Sequence, residues 1–410
     1  MTEPRTAAAY PERAAAGRAG AAPLGPAVRL GRVTTTTLVH KHSRAPEPWW
    51  HHAAVYQLRE PLDLAGAQTL AAEISHVSSL GADAVQVRCP DLDPAAADAG
   101  EVLGALVHRA HQRSLRLVVE VAGSDAPPGV SDTAAWHRGR VADWLRLGAD
   151  GVDLSVAGPV EPGPHVHPDI DLGALQVMVA EQERDAVLTG AASAMDLESL
   201  SAHLHEDWPH VARDDRLVTT PWRAADLRAA ITDAYVRRDP LGAAAGWAMP
   251  RAREGSGPPA WASPSREVLR ARLRAATLLM LALPGCVYLR HGEEVELVPR
   301  GGVAESVPEV TARAREQRGQ AGSTFERYRL AMRLRHELRL GTGPLAWIDD
   351  APPGTLALVN RHVMVLVNVA AEAVTIPPER EVLHTSGDLL GPADGGLTVP
   401  PDTTVWVALE

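Results

Sequence analysis

The chain has 410 residues, 45% of them hydrophobic, and a formal net charge of −11. That length holds one large domain and a smaller one, no apolar run reaches the roughly 18–20 residues a membrane span requires, and the acidic balance excludes general nucleic-acid binding. Two cysteines, Cys89 and Cys286, make neither a disulfide framework nor a metal cluster, which points to a cytoplasmic location.

Residues 1–45 are rich in Ala, Gly, Pro and Arg and lack periodicity, so they are expected to form a disordered tail with no secretory leader. Lys41 is the only lysine among 40 Lys and Arg residues and stands ahead of the predicted fold, which excludes a Schiff-base lysine in the interior. The Arg and Ala bias fits a GC-rich, actinobacterial genome.

From Trp49 the pattern alternates strands and helices. A short apolar strand at 53–58 precedes helical spacing over 64–80, which ends at Gly81, a suitable C-terminal cap. Strands follow at 84–87, 115–121 and 151–157, separated by helices at 101–113 and 134–147. Further units occupy 173–190, 198–219, 223–248 and 265–289. Strand–helix alternation of this length implies parallel pairing with right-handed crossovers, and eight units fit a (β/α)₈ barrel. After a helix at 323–339, short strands with Pro/Gly turns at 355–359, 363–368, 374–376 and 405–409 predict a separate antiparallel β domain. The expected boundaries are a tail over 1–45, a barrel over 46–342 and a β domain over 343–410.

Several stretches carry a family resemblance. Ala149-Asp150-Gly151-Val152-Asp153-Leu154-Ser155-Val156-Ala157 resembles the fourth barrel strand of the α-amylase superfamily (glycoside hydrolase family 13), which usually reads Gly-Val-Asp-Gly-Phe-Arg-Ile-Asp-Val-Ala. Trp49-Trp50-His51-His52-Ala53-Ala54-Val55-Tyr56-Gln57 is similar to its first strand. Leu281-Ala282-Leu283-Pro284-Gly285-Cys286-Val287-Tyr288-Leu289 with Gly292-Glu293-Glu294 resembles the eighth strand of its α-glucosidase and trehalose-synthase-like branch.

The resemblance implies a scaffold stripped of its chemistry. Ser155 stands at the nucleophile position and Asp153 at that of the arginine which orients it; Ala191 stands where the acid/base glutamate ends strand five. Arg253, or a neighbour, replaces the third acid after strand seven, and the Asn-His after strand three falls near Asp125. The calcium-associated segment after strand one is missing, and so is the B domain normally inserted after strand three. Retaining glycoside hydrolysis needs two carboxyls about 5–5.5 Å apart, so the expectation is a catalytically inactive relative.

Sites in this fold gather at the C-terminal ends of the strands. Arg88, Glu120, Asp125, Asp153, Ser155, Arg251 and Arg253 are expected on that rim, with Glu120 or Asp153 facing Arg251 or Arg253 in a salt bridge or a new polyol or anion site. His165-Val166-His167-Pro168-Asp169 has alternate ligand-type residues, but no third ligand can be assigned, so it reads as a loop. Most of the tryptophans, Trp136, Trp144, Trp208, Trp222 and Trp247 among them, read as core. No cofactor or metal is expected. The partner is a saccharide or a catalytically complete paralogue; a repurposed or residual α-glucan-active enzyme using non-standard rim residues is the alternative.

Overall fold

The computed structural model describes residues 28–29, 35–41, 47–58, 60–122, 125–154, 171–182, 185–192, 209–214, 216–249, 260–297, 306–378, 380–391 and 396–409. Eight parallel strands close a barrel: β3 (Ala54–Gln57), β4 (Ala84–Arg88), β5 (Arg116–Glu120), β6 (Gly151–Asp153), β7 (Val187–Ala192), β8 (Val211–Asp214), β9 (Gly246–Ala248) and β10 (Cys286–Arg290), with β10 returning to β3. The expected (β/α)₈ barrel with a C-terminal β domain is the observed architecture.

The period-two alternation of strands sorts their side chains. Val55, Ala84, Val118, Val187, Val211, Cys286 and Tyr288 pack inside the barrel, while Tyr56, Val85, Leu117, Val152, Leu188 and Val287 face the surrounding helices. Gly151 is dictated by space. A Cβ there would lie 2.4 Å from Val187 Cγ1 and 2.7 Å from Val187 O, so β6 can approach β7 only without a side chain at that point.

The helices follow their local signals. Thr133–Leu147 starts at Asp132, whose side chain accepts from Ala135 N, and stops at Gly148, which takes the left-handed conformation (φ 98°). The predicted 64–80 helix is two helices, Leu64–Glu73 and Ser75–Leu80, joined at Ile74. From Glu120 to Thr133 only twelve residues intervene.

The β domain is a sheet of six strands in the order β15 (Val382–Thr385), β17 (Thr403–Ala408), β13 (Val363–Asn368), β12 (Thr355–Asn360), β11 (Leu345–Ile348) and β2 (Thr36–His40). One face packs on the barrel helices through Trp347, Leu356, Leu358, Val365 and Trp406. The other, with Met364, Leu366, Val405 and Val407, packs against β14 (Val374–Ile376) and β16 (Leu397–Val399), which are joined by β1 (Val28–Arg29). Tryptophan N–H groups fasten the two domains: Trp406 donates to Leu278 O (3.2 Å), Trp347 to Thr232 Oγ1 (2.8 Å) and Trp222 to Asp402 Oδ1 (2.6 Å).

The expectation of a disordered tail over 1–45 needs correction. Thr36–His40 pairs antiparallel with β11, with Thr37 donating to Asp349 (2.8 Å) and His40 bonded to Asp239 (2.7 Å). Val28–Arg29 pairs parallel with β14. The physical reason is the β-branched run Val33-Thr34-Thr35-Thr36-Thr37, which supplies strand propensity, and β11, whose edge would otherwise lack a partner. Strands β11, β15 and β16 were likewise not expected from the sequence.

Candidate functional site

At the upper end of the barrel interior the apolar layer gives way to a polar one. Each residue of that layer lies two positions beyond an apolar inward residue: Gln57 beyond Val55, Gln86 beyond Ala84, Glu120 beyond Val118, Asp153 beyond Gly151, Thr189 beyond Val187 and Arg213 beyond Val211.

The centre of the layer is a clamp. Asp153, fully buried, accepts from both Arg213 Nη1 and Arg213 Nη2 (the latter 2.9 Å), and Thr189 Oγ1 donates to the same carboxylate at 2.6 Å. Arg213 also lies over the Tyr288 ring, 5.2 Å from its centroid. Burial alone would lower the pKa of Arg213, but the charge of Asp153 and its hydrogen bonds outweigh that effect and raise it. Burial pushes the Tyr288 hydroxyl well above the usual tyrosine range, so it remains protonated. A fork–fork pair of this kind is both strong and geometrically specific.

A second chain of bonds runs alongside. Gln57 Nε2 donates to Gln86 Oε1 (2.9 Å) and Gln86 Nε2 to Glu120 Oε2 (3.2 Å), while Arg88 Nε lies 3.8 Å from Glu120 Oε1. Arg88 Nη2 donates to Asp125, whose other oxygen accepts from Ala122 N at 3.1 Å. Burial would lower the pKa of Arg88, yet the Asp125 bond and charge raise it. Glu120 and Asp153 are register partners on adjacent strands, so the two carboxylates stand side by side, and both are buried.

Arg88, Glu120 and Asp153 end β4, β5 and β6, and Asp125 follows β5. Ala191 lies at the end of β7, on the same alternation as Val187 and Thr189. Among the described residues, Asp153 is held by Arg213 and Glu120 lies beside Arg88, whose guanidiniums stand in or beside the same layer. Ser155, Arg251, Arg253 and the His165–His167 segment lie outside the described residues. Sequence reasoning missed Arg213, which sits in Val211-Ala212-Arg213-Asp214. The signal was available: Val211 fits the apolar layer, so the residue two further on belongs to the polar one.

A third buried cluster lies outside the barrel beside β10. Glu294 accepts from Tyr56 Oη (2.6 Å) and from Gly292 N (2.9 Å), and is bonded to His76 Nε2 (2.8 Å), while Tyr56 Oη lies 2.8 Å from His291 Nδ1. Burial would raise its pKa, but His76 and the other partners lower it. Its carboxylate is 1% exposed, so it fastens β3 to the segment after β10 rather than facing a ligand.

The barrel and its β domain have close structural counterparts. The α-glucosyl transfer enzyme XgtA is similar over 89% of this chain and 100% of its own, with a TM-score of 0.63 at 16% identity. The trehalulose synthase MutB from Pseudomonas mesoacidophila MX-45 has the same coverage and identity, with a TM-score of 0.62. Eubacterium rectale Amy13B matches 91% of this chain and 97% of its own at a TM-score of 0.61 and 10% identity. No protein-family model and no curated protein matches the sequence. At such identities the likeness establishes the fold.

Chemically, the clamp ties up one of the layer's two carboxylates. The Asp153 carboxylate is engaged by two guanidinium N–H groups and a hydroxyl, so attacking an electrophile would require releasing bonds that hold a buried charge. Among the described residues no three His, Cys, Asp or Glu side chains are grouped to hold a metal ion, and no helix is long and apolar enough to cross a membrane.

Proposed function

We propose that this protein is a degenerate member of the α-amylase superfamily, of the α-glucosidase and trehalose-synthase-like branch, which has lost α-glucosidase activity and serves as a cytoplasmic pseudoenzyme. The observation that carries this reading is the Asp153–Arg213 clamp. Where the superfamily's fourth strand carries an arginine beside its nucleophile, this chain carries a buried carboxylate, with the arginine supplied from β8 instead. The twelve residues between Glu120 and Thr133 leave no room for an inserted B domain to roof a sugar site. Ser155 and Ala191 stand at the positions of the nucleophile and acid/base. Both cysteine thiols are buried, which pushes them up to about 12, so they are inert as nucleophiles. The remaining rim charges, Arg88 and Asp125, with Arg251 and Arg253 expected there from the sequence, then serve to bind a saccharide or a catalytically complete paralogue.

A second reading, residual activity on α-glucans, is favoured by one observation: Glu120 and Asp153 are in register on neighbouring strands. Two acids of a retaining site flank the sugar and reach its reacting carbon. These two stand next to each other, buried and hydrogen-bonded, which favours the inactive reading.

The test is hydrolysis of nitrophenyl α-glucoside, maltose and trehalose by the wild type and by Ser155→Asp/Ala191→Glu. No turnover is expected from either, because the introduced carboxylate would stand two residues from Asp153 in an unroofed mouth open to water. Turnover by the wild type would overturn the proposal; turnover by the double variant alone would show that the surroundings, clamp included, are still competent.

A further inference from the structure

Away from the barrel mouth, a polar cleft of about 360 Å³ opens where barrel and β domain meet. Its walls come from helix Arg266–Ala282, Glu296 just after the turn Glu293–Val295, the end of helix Val307–Gln317, the start of helix Thr324–Glu337 and the loop after β15. Arg274, Glu296, Gln317, Arg327 and Asp388 line it, together with the hydroxyls of Ser323 and Thr324.

We infer that this cleft binds a neutral polyol, one or two sugar rings in size, through vicinal hydroxyls set between guanidinium and carboxylate. The volume lies at the small end of the range for small-molecule pockets, about 300–1,000 Å³. Its charges come in pairs: Arg274 Nη1 donates to Glu296, and Arg327 Nη2 donates to Asp388 at 2.6 Å. Each arginine is therefore already compensated, and an anion would have to displace a carboxylate. A diol needs no displacement. It accepts from the remaining N–H groups of a guanidinium, which carries five donors in a planar fork, and donates to the carboxylate oxygens, which accept at several lone pairs.

Glu296 supports this independently. It adopts φ 60°, the left-handed region that glutamate rarely enters; that conformation ends the turn while its carboxylate meets Arg274. Strain of this kind persists where the surroundings hold it and clusters at ligand sites. Arg327 is also fixed, donating through Nε to Gly322 O (3.0 Å) and through Nη1 to Thr385 O (3.4 Å), so its fork is presented already oriented.

The inference does not depend on the mouth being inactive. Its test is calorimetric titration of the full chain with maltose and, separately, with inorganic phosphate, for the wild type, Arg274→Gln and Asp388→Asn. Asp388 is 91% exposed and its change to Asn cannot threaten the fold; circular dichroism checks Arg274→Gln. Maltose is expected to bind with Kd on the order of 1 mM and to weaken about ten-fold in each variant, with phosphate silent. Absent maltose binding, or maltose binding that both folded variants retain, overturns the inference. Phosphate binding that Asp388→Asn strengthens overturns it in favour of an anion site.

Discussion

Asp153 and Arg213 stabilise one another only as a pair. Removing Arg213 leaves a buried carboxylate without its countercharge, a change that costs about 3–5 kcal/mol in comparable buried pairs. Arg213→Met is therefore expected to lose about that much in urea denaturation, whereas Arg213→Met/Asp153→Leu should recover most of it. If the double variant is as unstable as the single one, the clamp is not an isolated pair and Thr189 or Glu120 shares its charge. The clamp was half legible in the sequence. Asp153 could be placed by its surroundings in the fourth strand, while Arg213 was passed over because an arginine followed by an aspartate looks like solvated surface. Alternation with Val211 could put Arg213 in the polar layer, but its pairing with Asp153 is a tertiary fact that no local pattern encodes.

Strands that read as short apolar runs were readable: Ala84–Arg88, Arg116–Glu120 and Cys286–Arg290 emerged within a residue or two. Val211–Asp214 was not separable from its unit, because half of it is charged. The N-terminal segment failed for a different reason. Composition measured its polarity correctly, but a strand added at a sheet edge needs only backbone pairing and one covered face, and Thr36–His40 has four register partners on β11. At roughly 0.2–1 kcal/mol per cross-strand pair, deleting residues 1–41 is expected to destabilise the protein by about 2 kcal/mol and lower Tm by several degrees. A truncated chain that melts with the full-length one would return that segment to the status of a tail.

Barrel and β domain share a continuous core, and one histidine reports on their joint. His384 on β15 is bonded through Nε2 to Arg327 O (2.9 Å), on the helix Thr324–Glu337, and burial lowers its pKa to about 4. The folded protein resists protonating it, while the unfolded chain takes up that proton near pH 6.5. Its contribution to stability is therefore complete above pH 6.5 and is lost as pH falls from 6.5 to about 4, by up to about 3 kcal/mol. His384→Gln should flatten the loss of stability between pH 6.5 and 4 by about that amount in denaturant titrations. An unchanged pH profile would mean that the joint opens before the ring is protonated.

The clamp also constrains the future of the chain. An arginine in place of Asp153 alone would set two guanidiniums against each other in the barrel, and removing Arg213 alone would strand the aspartate. Either single substitution therefore breaks the pair and destabilises the barrel. Purifying selection on folding would preserve the pair even if the site had no ligand at all, a ratchet that keeps two buried charges together without reference to any reaction.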